Sequence, residues 1–336
     1  MSHNELATRA VSGNADAQFE LGIKLMSGQS AENDADQAIT MLEAASAQGH
    51  AKATEQLAVL ESMGAGRMQN WERALDFLQL GAEQGSASAR AQLLLLSDNS
   101  QDPLLPAKAG PDHWRELRAR INIRERLQVG NRSLLSEAPW IRVFEGFATP
   151  AECRWVISAA RNRLKPATVF VGETGELTQD RARTNSAIEF QVTDMDVVIE
   201  TLRARVSEAT KLPLPFFEPT QVLHYSVGQQ FSAHHDYLDP QNSALHEQIA
   251  RLGQRIATVL IYLDEQYEGG ETSFPAIGLD YRGRTGDALL LANVDRQGRI
   301  DPLTRHAGLP PTSGEKWILS QWIRDRASGP ATGEST

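Results

Sequence analysis

The hydrophobic pattern of this chain changes character once along its length. Over the first hundred residues, small and aliphatic side chains recur at helical spacing inside a longer period. Gly13-Asn-Ala-Asp-Ala, Gly49-His-Ala-Lys-Ala and Gly85-Ser-Ala-Ser-Ala stand 36 residues apart, and Leu21, Leu57 and Leu93 follow at the same offset. Ala38 with Leu42 returns as Ala74 with Leu78, and Gln48-Gly49 returns as Gln84-Gly85. That period predicts stacked helix–turn–helix units, in which small residues let helices approach and glycine permits the reversal. From Trp140 onward the pattern shortens. Residues 140–144 alternate as a strand, and Thr149-Pro-Ala-Glu152 carries the cap, proline and glutamate that open a helix running to about 164. Strand-like runs follow at 186–192, 221–225, 257–263, 288–292 and 317–322, with helices near 197–209 and 244–252. Helices first and short strands afterwards predict an α+β chain, with a helical repeat segment before a β-barrel or sandwich clad by helices.

The division expected is helical repeats over 1–97, a linker and bridging helix over 98–137, the β-rich domain over 138–326 and a disordered tail over 327–336. Residues 114–127 read as one basic helix with Trp114, Leu117 and Ile121 on one face. Its arginines suit either a solvated bridging surface or an acidic partner. The segment 172–183 is a polar, glycine-containing loop, readable as a lid over a site or as ordinary solvated chain, and 239–246 is similar.

Charge narrows the functions open to the chain. A formal net charge of −10 over 336 residues argues against a duplex nucleic-acid binder, which needs a broad cationic face. Cys153 is the only cysteine, which excludes an intrachain disulfide and a thiolate zinc cluster. No basic-then-apolar leader and no membrane-length apolar run are present, so the expected location is cytoplasmic.

Chemistry enters at His234-His235-Asp236. Side chains two apart on an extended strand share a face, so His234 and Asp236 can converge on one ion while His235 faces away. Imidazole plus carboxylate is two-thirds of the facial triad that leaves positions open on Fe(II). Of the other histidines, His306 has the most informative surroundings: a turn follows it, and then the strand-like run from Lys316. A hairpin joining the two would place the Lys316 ammonium near the metal, where it can hold the far carboxylate of 2-oxoglutarate. Hydroxyls of Tyr225, Thr258 and Tyr262 are candidates to complete that anchoring.

The ordered set of Tyr225, His234-x-Asp236, Arg255-Ile-Ala-Thr-Val-Leu-Ile-Tyr-Leu263, Gly269-Gly-Glu-Thr-Ser-Phe-Pro275, Gly286-Asp287, His306 and Lys316-Trp317 resembles the catalytic domain of prolyl 4-hydroxylase-type Fe(II)/2-oxoglutarate oxygenases, from about residue 139 to 326. The resemblance implies a double-stranded β-helix (jelly-roll) fold with His234, Asp236 and His306 as iron ligands. It implies Lys316 on the 5-carboxylate of 2-oxoglutarate, and Tyr225 with one of Thr258 or Tyr262 as cosubstrate contacts. O2 is the second cosubstrate and ascorbate the accessory reductant. Phe231 stands where the family often has a substrate-facing tyrosine, Ser320 stands where an asparagine is usual, and Trp322 matches. The expected reaction is hydroxylation of a carbon, with a prolyl residue of a protein or peptide as leading acceptor and release of succinate and CO2. The alternatives are a free amino acid or small metabolite as acceptor, a catalytically silent interaction scaffold, or a structural divalent-metal site. Residues 10–97 resemble Sel-like repeats, relatives of tetratricopeptide repeats, and 12 acidic against 6 basic side chains in residues 1–97 make the array acidic. Such an array implies either a docking surface for a protein or peptide substrate or a cap that stabilises its neighbour.

Overall fold

The computed structural model describes residues 3–27, 35–97, 110–170, 177–178 and 181–327. Most of the expected linker, most of the loop 172–183 and nearly all of the expected tail lie outside the described residues. The chain divides into two compact units, one of residues 1–128 with 191–204 and one of 129–190 with 205–336.

The first unit is built from antiparallel helices: α1 (His3–Val11), α2 (Ala15–Met26), α3 (Ala35–Ala47), α4 (Ala51–Met63), α5 (Trp71–Glu83) and α6 (Ala87–Leu96). The 36-residue period has a local cause. Gly13, Gly49 and Gly85 adopt φ of 92°, 85° and 98°, the left-handed conformation that ends one helix at low cost. The next residue then caps the following helix, as Asn14, His50 and Ser86 accept from the backbone N–H of Ala17, Ala53 and Ala89. Those alanines, the periodic leucines 21, 57 and 93, and the pairs Ala38/Leu42 and Ala74/Leu78 are all buried.

The expected helix 114–127 is corrected to two pieces, α7 (Pro111–Arg120) and α8 (Ile123–Arg126). Asn122 breaks it, because its side-chain oxygen caps the N–H of Glu125 and starts a new turn. The basic face of α7 meets an acidic partner within its own unit. Arg118 lies 2.7 Å from Glu72 and 3.0 Å from Asp76 on α5, while Trp114 and Leu117 are buried. Residues 191–204 also count with this unit: Gln56 donates to the Val192 carbonyl, and Gln92 accepts from the N–H of Val197.

The second unit contains β1 (Arg132–Glu137), β2 (Trp140–Phe144), α9 (Pro150–Arg161), β3 (Lys165–Pro166), β4 (Val169–Phe170), β5 (Leu177–Thr178), β6 (Ser186–Glu189) and β7 (Gln221–Tyr225). Helix α10 (Val197–Thr210) crosses from the first unit into the second at residue 205. There follow β8 (Phe231–His234), α11 (His246–Leu252), β9 (Arg255–Tyr262), β10 (Tyr267–Gly269), β11 (Thr272–Phe274) and β12 (Leu279–Tyr281). The last strands are β13 (Ala288–Ala292), β14 (His306–Gly308), β15 (Pro311–Gly314) and β16 (Lys316–Arg324). Eight strands form one sheet in the order β1-β2-β13-β9-β16-β7-β6-β3, and four form another in the order β12-β11-β14-β8. The core lies between them. Ile141, Leu223, Tyr225, Tyr262, Leu289, Leu291 and Ile318 of the large sheet pack with Phe274 and Phe231 of the small one. The chain is α+β, and its C-terminal unit is a two-sheet antiparallel structure of the jelly-roll type.

Two features fix the frame around the site. Thr149 and Glu152 form the expected capping box at α9, and buried Glu152 also pairs with Arg205 at 2.6 Å, whose guanidinium donates to the Phe147 carbonyl. Gly286, at φ 88°, turns into β13 so closely that a Cβ there would lie 2.0 Å from the Ala148 oxygen. Asp287 beside it accepts from the N–H groups of Gly146 and Arg284 and ties this turn to the one before α9.

The hairpin expected between His306 and Lys316 is absent. Strand β14 pairs with β8 and β11 in the small sheet, β15 pairs with β10, and β16 pairs with β7 and β9 in the large sheet. The chain crosses from one sheet to the other between the two residues. Among the described residues, no helix is long and apolar enough to cross a membrane.

Candidate metal centre and cosubstrate cavity

His234 ends β8 and lies in register with His306, which opens β14 on the neighbouring strand. Asp236 follows two residues later, in the bend just beyond β8 rather than on the strand itself. One ligand atom from each of the three lies within 4.8 Å of the others. Nε2 of His234 is 3.5 Å from Asp236 Oδ1, and Nε2 of His306 is 3.6 Å from Asp236 Oδ2. Both imidazoles are held from behind by the same device. His234 Nδ1 lies 2.9 Å from the Ser232 carbonyl and His306 Nδ1 lies 3.0 Å from the Thr304 carbonyl. A carbonyl can only accept, so each Nδ1 carries the proton and each Nε2 presents its lone pair to the centre. His235 turns elsewhere, with Nε2 3.1 Å from the Pro302 carbonyl and its ring stacked on Tyr237.

The protonation states suit a cation. Burial pulls His306 down to about 4 despite Asp236 beside it, so the ring is neutral at neutral pH. Burial alone would raise Asp236, but the two imidazoles beside it, His306 foremost, and the hydrogen bond from Thr258 outweigh it and hold the carboxyl well below the usual range. Two imidazoles and one carboxylate are the donor set for Fe(II) with open positions.

The cavity beside this centre lies between the sheets. On β16, Lys316, Ile318, Ser320 and Trp322 all line it, the period of two that places alternate strand residues on one face. Leu223 and Tyr225 of β7, Leu260 of β9, Thr272 of β11 and Arg183, Phe231, His234, Asp236 and His306 complete most of the wall. Lys316 is 2% exposed, in register with Tyr225, with its ammonium 5.2 Å from the centre of the Tyr225 ring. Burial, opposed by Glu271, pulls that ammonium down to about 7. Burial likewise pushes the Tyr225 phenol up to about 12, so it stays a neutral hydrogen-bond donor.

Neither Thr258 nor Tyr262 lines the cavity. Thr258 sits behind the metal centre and donates to Asp236 Oδ2 at 2.7 Å. The Tyr262 hydroxyl shares a 2.8 Å hydrogen bond with Thr272, which does line the wall. Both share the inward face of β9 with Leu260, and each hydroxyl is engaged with a neighbouring side chain, Thr258 with Asp236 and Tyr262 with Thr272. Phe231 stacks on His234 at 3.6 Å and 14°, and the guanidinium of Arg255 lies 3.6 Å from the centre of the Trp322 ring.

Arg183 is a charged cavity residue that sequence reasoning missed, as it did the wall residues Leu223, Leu260, Thr272 and Ile318. Its guanidinium lies 4.6 Å from the centre of the Phe231 ring, donates to Asn185 Oδ1 and the Thr168 carbonyl, and loses some basicity through burial. Its isolated bridge to Phe231 fixes it beside the metal strand. In sequence it was the last residue of a polar loop, and the signal available was its position just ahead of β6.

A model of the 2OG-Fe(II) oxygenase superfamily matches residues 220–324. A probable prolyl 4-hydroxylase 10 of Arabidopsis thaliana is 34% identical over 211 residues, covering 57% of this chain and 71% of that one. The chain belongs to the 2OG-Fe(II) oxygenase superfamily, among the relatives of prolyl 4-hydroxylases. Among solved structures, the viral collagen prolyl hydroxylase of Paramecium Bursaria Chlorella virus-1 in its 2OG complex is 28% identical to this oxygenase. That match covers 55% of this chain and 95% of the viral one, with a TM-score of 0.43. A Sel1 repeat protein from Oxalobacter formigenes covers 34% of the oxygenase and 86% of its own length, at 24% identity and a TM-score of 0.28.

Proposed function

We propose that this oxygenase hydroxylates a prolyl residue of a protein or peptide, consuming 2-oxoglutarate and O2 and releasing succinate and CO2. The observation that carries the reading is the convergence of His234, Asp236 and His306 on the wall of a cavity that also holds the buried ammonium of Lys316. Fe(II), when bound, supplies the chemistry that couples decarboxylation of 2-oxoglutarate to insertion of oxygen into a C–H bond. The protein's part is placement.

The two histidines and Asp236 hold one side of the metal, their tautomers set by the backbone carbonyls behind them. Lys316 neutralises the far carboxylate of the cosubstrate, and the Tyr225 hydroxyl offers it a donor. Leu223, Leu260 and Ile318 keep that part of the cavity apolar, which excludes water and strengthens the ionic contact. Phe231, Arg183 and Trp322 are the side chains left to meet the acceptor; Phe231 brings no hydroxyl, so a carbonyl of the acceptor finds its donor in Arg183. Ascorbate serves as accessory reductant, and the Sel-like unit docks the protein or peptide that carries the proline. The location that fits these partners is the cytoplasm.

The test is succinate formation by the purified protein with Fe(II), 2-oxoglutarate and ascorbate, alongside mass analysis of proline-containing peptides. Wild type should form succinate and add one oxygen to a peptide prolyl residue, and His306→Ala should do neither. Succinate without oxygen gain on any prolyl peptide would retain the oxygenase and refute the prolyl acceptor.

A further inference from the structure

Three polar side chains stand in line behind the metal centre. Asn293 follows β13, and its backbone N–H donates to the Ile256 carbonyl at 2.8 Å, which seats its side chain against β9. Its amide Nδ2 lies 3.0 Å from Thr258 Oγ1, and Thr258 Oγ1 lies 2.7 Å from Asp236 Oδ2. Asn293 and Thr258 are both 0% exposed, and Asp236 is 4% exposed.

The direction of this chain follows from the carboxylate outward. An ionised carboxylate can only accept, so the Thr258 hydroxyl must spend its proton on Asp236. Its oxygen is then an acceptor, and Asn293 must present an N–H to it. The polarity does not depend on which amide atom is drawn where. Asn293 Oδ1 meanwhile has no hydrogen-bond partner in its buried setting. An orphan buried acceptor costs about 1–3 kcal/mol, a cost that leucine at the same place would not incur. The N–H is therefore the end of the amide that is engaged with the site.

Resting on the metal-centre reading above, we propose that Asn293 and Thr258 form a one-way hydrogen-bond relay that fixes the rotation of the Asp236 carboxylate, whose Oδ1 lies towards His234 and whose Oδ2 lies towards His306. Both are positioning residues, acting through Asp236. The consequence is chemical. A carboxylate held in this way presents its oxygens to a metal in one orientation, whereas a free one can rotate and intrude on positions that a chelating cosubstrate and O2 require. Thr258 is thereby removed from the cosubstrate and assigned to the ligand.

Co(II), which is stable in air, gives a visible absorption that reports ligand geometry and is the probe. Its affinity and spectrum are to be compared across wild type, Thr258→Val, Thr258→Ser, Asn293→Leu, the Thr258→Val/Asn293→Leu double variant and Asp236→Ala. Valine is isosteric with threonine and lacks the donor, while serine retains it. Thr258→Val and Asn293→Leu should each weaken Co(II) roughly 10- to 100-fold and shift its absorption. Thr258→Ser should restore both, and the double variant should be no worse than Thr258→Val, because Asn293 acts through Thr258. Unchanged affinity and spectrum in Asn293→Leu, or additive losses in the double variant, overturn the relay; if Asn293→Leu does not fold, Asn293→Ala takes its place in the cycle. Wild-type affinity in Asp236→Ala would instead overturn the metal-centre reading, which keeps the two failures apart.

Discussion

Lys316→Met keeps the length and apolar stem of the side chain while deleting its charge. The ammonium is buried at 2% exposure, and burial lowers it from 10.5 to about 7. At about 1.4 kcal/mol per pH unit, holding that charge in the folded protein costs on the order of 5 kcal/mol before any cosubstrate arrives. The folded value lies below the unfolded one, so between pH 7 and 10.5 the unfolded chain binds more protons. Stability of the cosubstrate-free protein therefore rises through that window, and the penalty is fully present below it. Lys316→Met should abolish the rise and exceed wild type in stability below pH 7 by a few kcal/mol, roughly half the full penalty or less after relaxation. Binding runs the other way. Loss of one charge-assisted hydrogen bond, about 2–3 kcal/mol, should weaken 2-oxoglutarate roughly 30- to 150-fold. Wild type should also take up a proton on binding 2-oxoglutarate above pH 7, since the carboxylate restores the ammonium. Calorimetry in buffers of different ionisation enthalpy reads both the affinity and the proton, and denaturant titration against pH reads the stability slope. If Lys316→Met binds 2-oxoglutarate within a factor of about 3 of wild type, the assignment of this lysine is wrong.

The remaining predictions concern the scaffold. Gly286→Ala places a Cβ 2.0 Å from the Ala148 oxygen at a φ of 88° and should cost about 2–3 kcal/mol or more, read as a lowered unfolding midpoint. Glu152→Ala removes the carboxylate that pairs with the buried Arg205 guanidinium and should cost about 3–5 kcal/mol by denaturant titration, with a smaller loss condemning the ion pair as a structural element. Leu57→Ala, at a site 1% exposed, should lower the stability of the repeat unit by about 2–5 kcal/mol, monitored by helix ellipticity. Arg118→Ala should change it by less than about 1 kcal/mol, because its partners Glu72 and Asp76 are 69% and 67% exposed.

What could be read from the sequence was what repeats or alternates for a local reason. The glycines at 13, 49 and 85 share one backbone conformation and the residues after them share one capping role, so the period was legible. Strands β7 and β13 were expected with the bounds observed, since apolar residues on both faces of buried strands are hard to mistake. What escaped depended on a single side chain or on tertiary pairing. Asn122 ends a helix through one oxygen, and Gln56 and Gln92 hold residues 191–204 to the first unit through two backbone contacts that no periodicity announces. Thr258 and Tyr262 carry hydroxyls suited to a ligand, and only the tertiary structure shows that they meet Asp236 and Thr272.

The same distinction explains why the hairpin expected between His306 and Lys316 was misjudged. Ten residues separate His306 from Lys316, a distance compatible with a hairpin and equally with a crossing between sheets about 10 Å apart. The hairpin would have set the spacing of metal and ammonium by strand register. The crossing sets it by the packing between the sheets. His234, Asp236 and His306 sit on the small sheet and its outgoing bend, the ammonium of Lys316 sits on the large one, and Phe231, Tyr225 and Ile318 line the cavity that both reach. A cosubstrate that must chelate the metal with one end and reach the cation with the other is thus measured against the thickness of the core. On the proposed reading, length selectivity among dicarboxylates would belong to the residues that set the distance between the sheets as much as to Lys316.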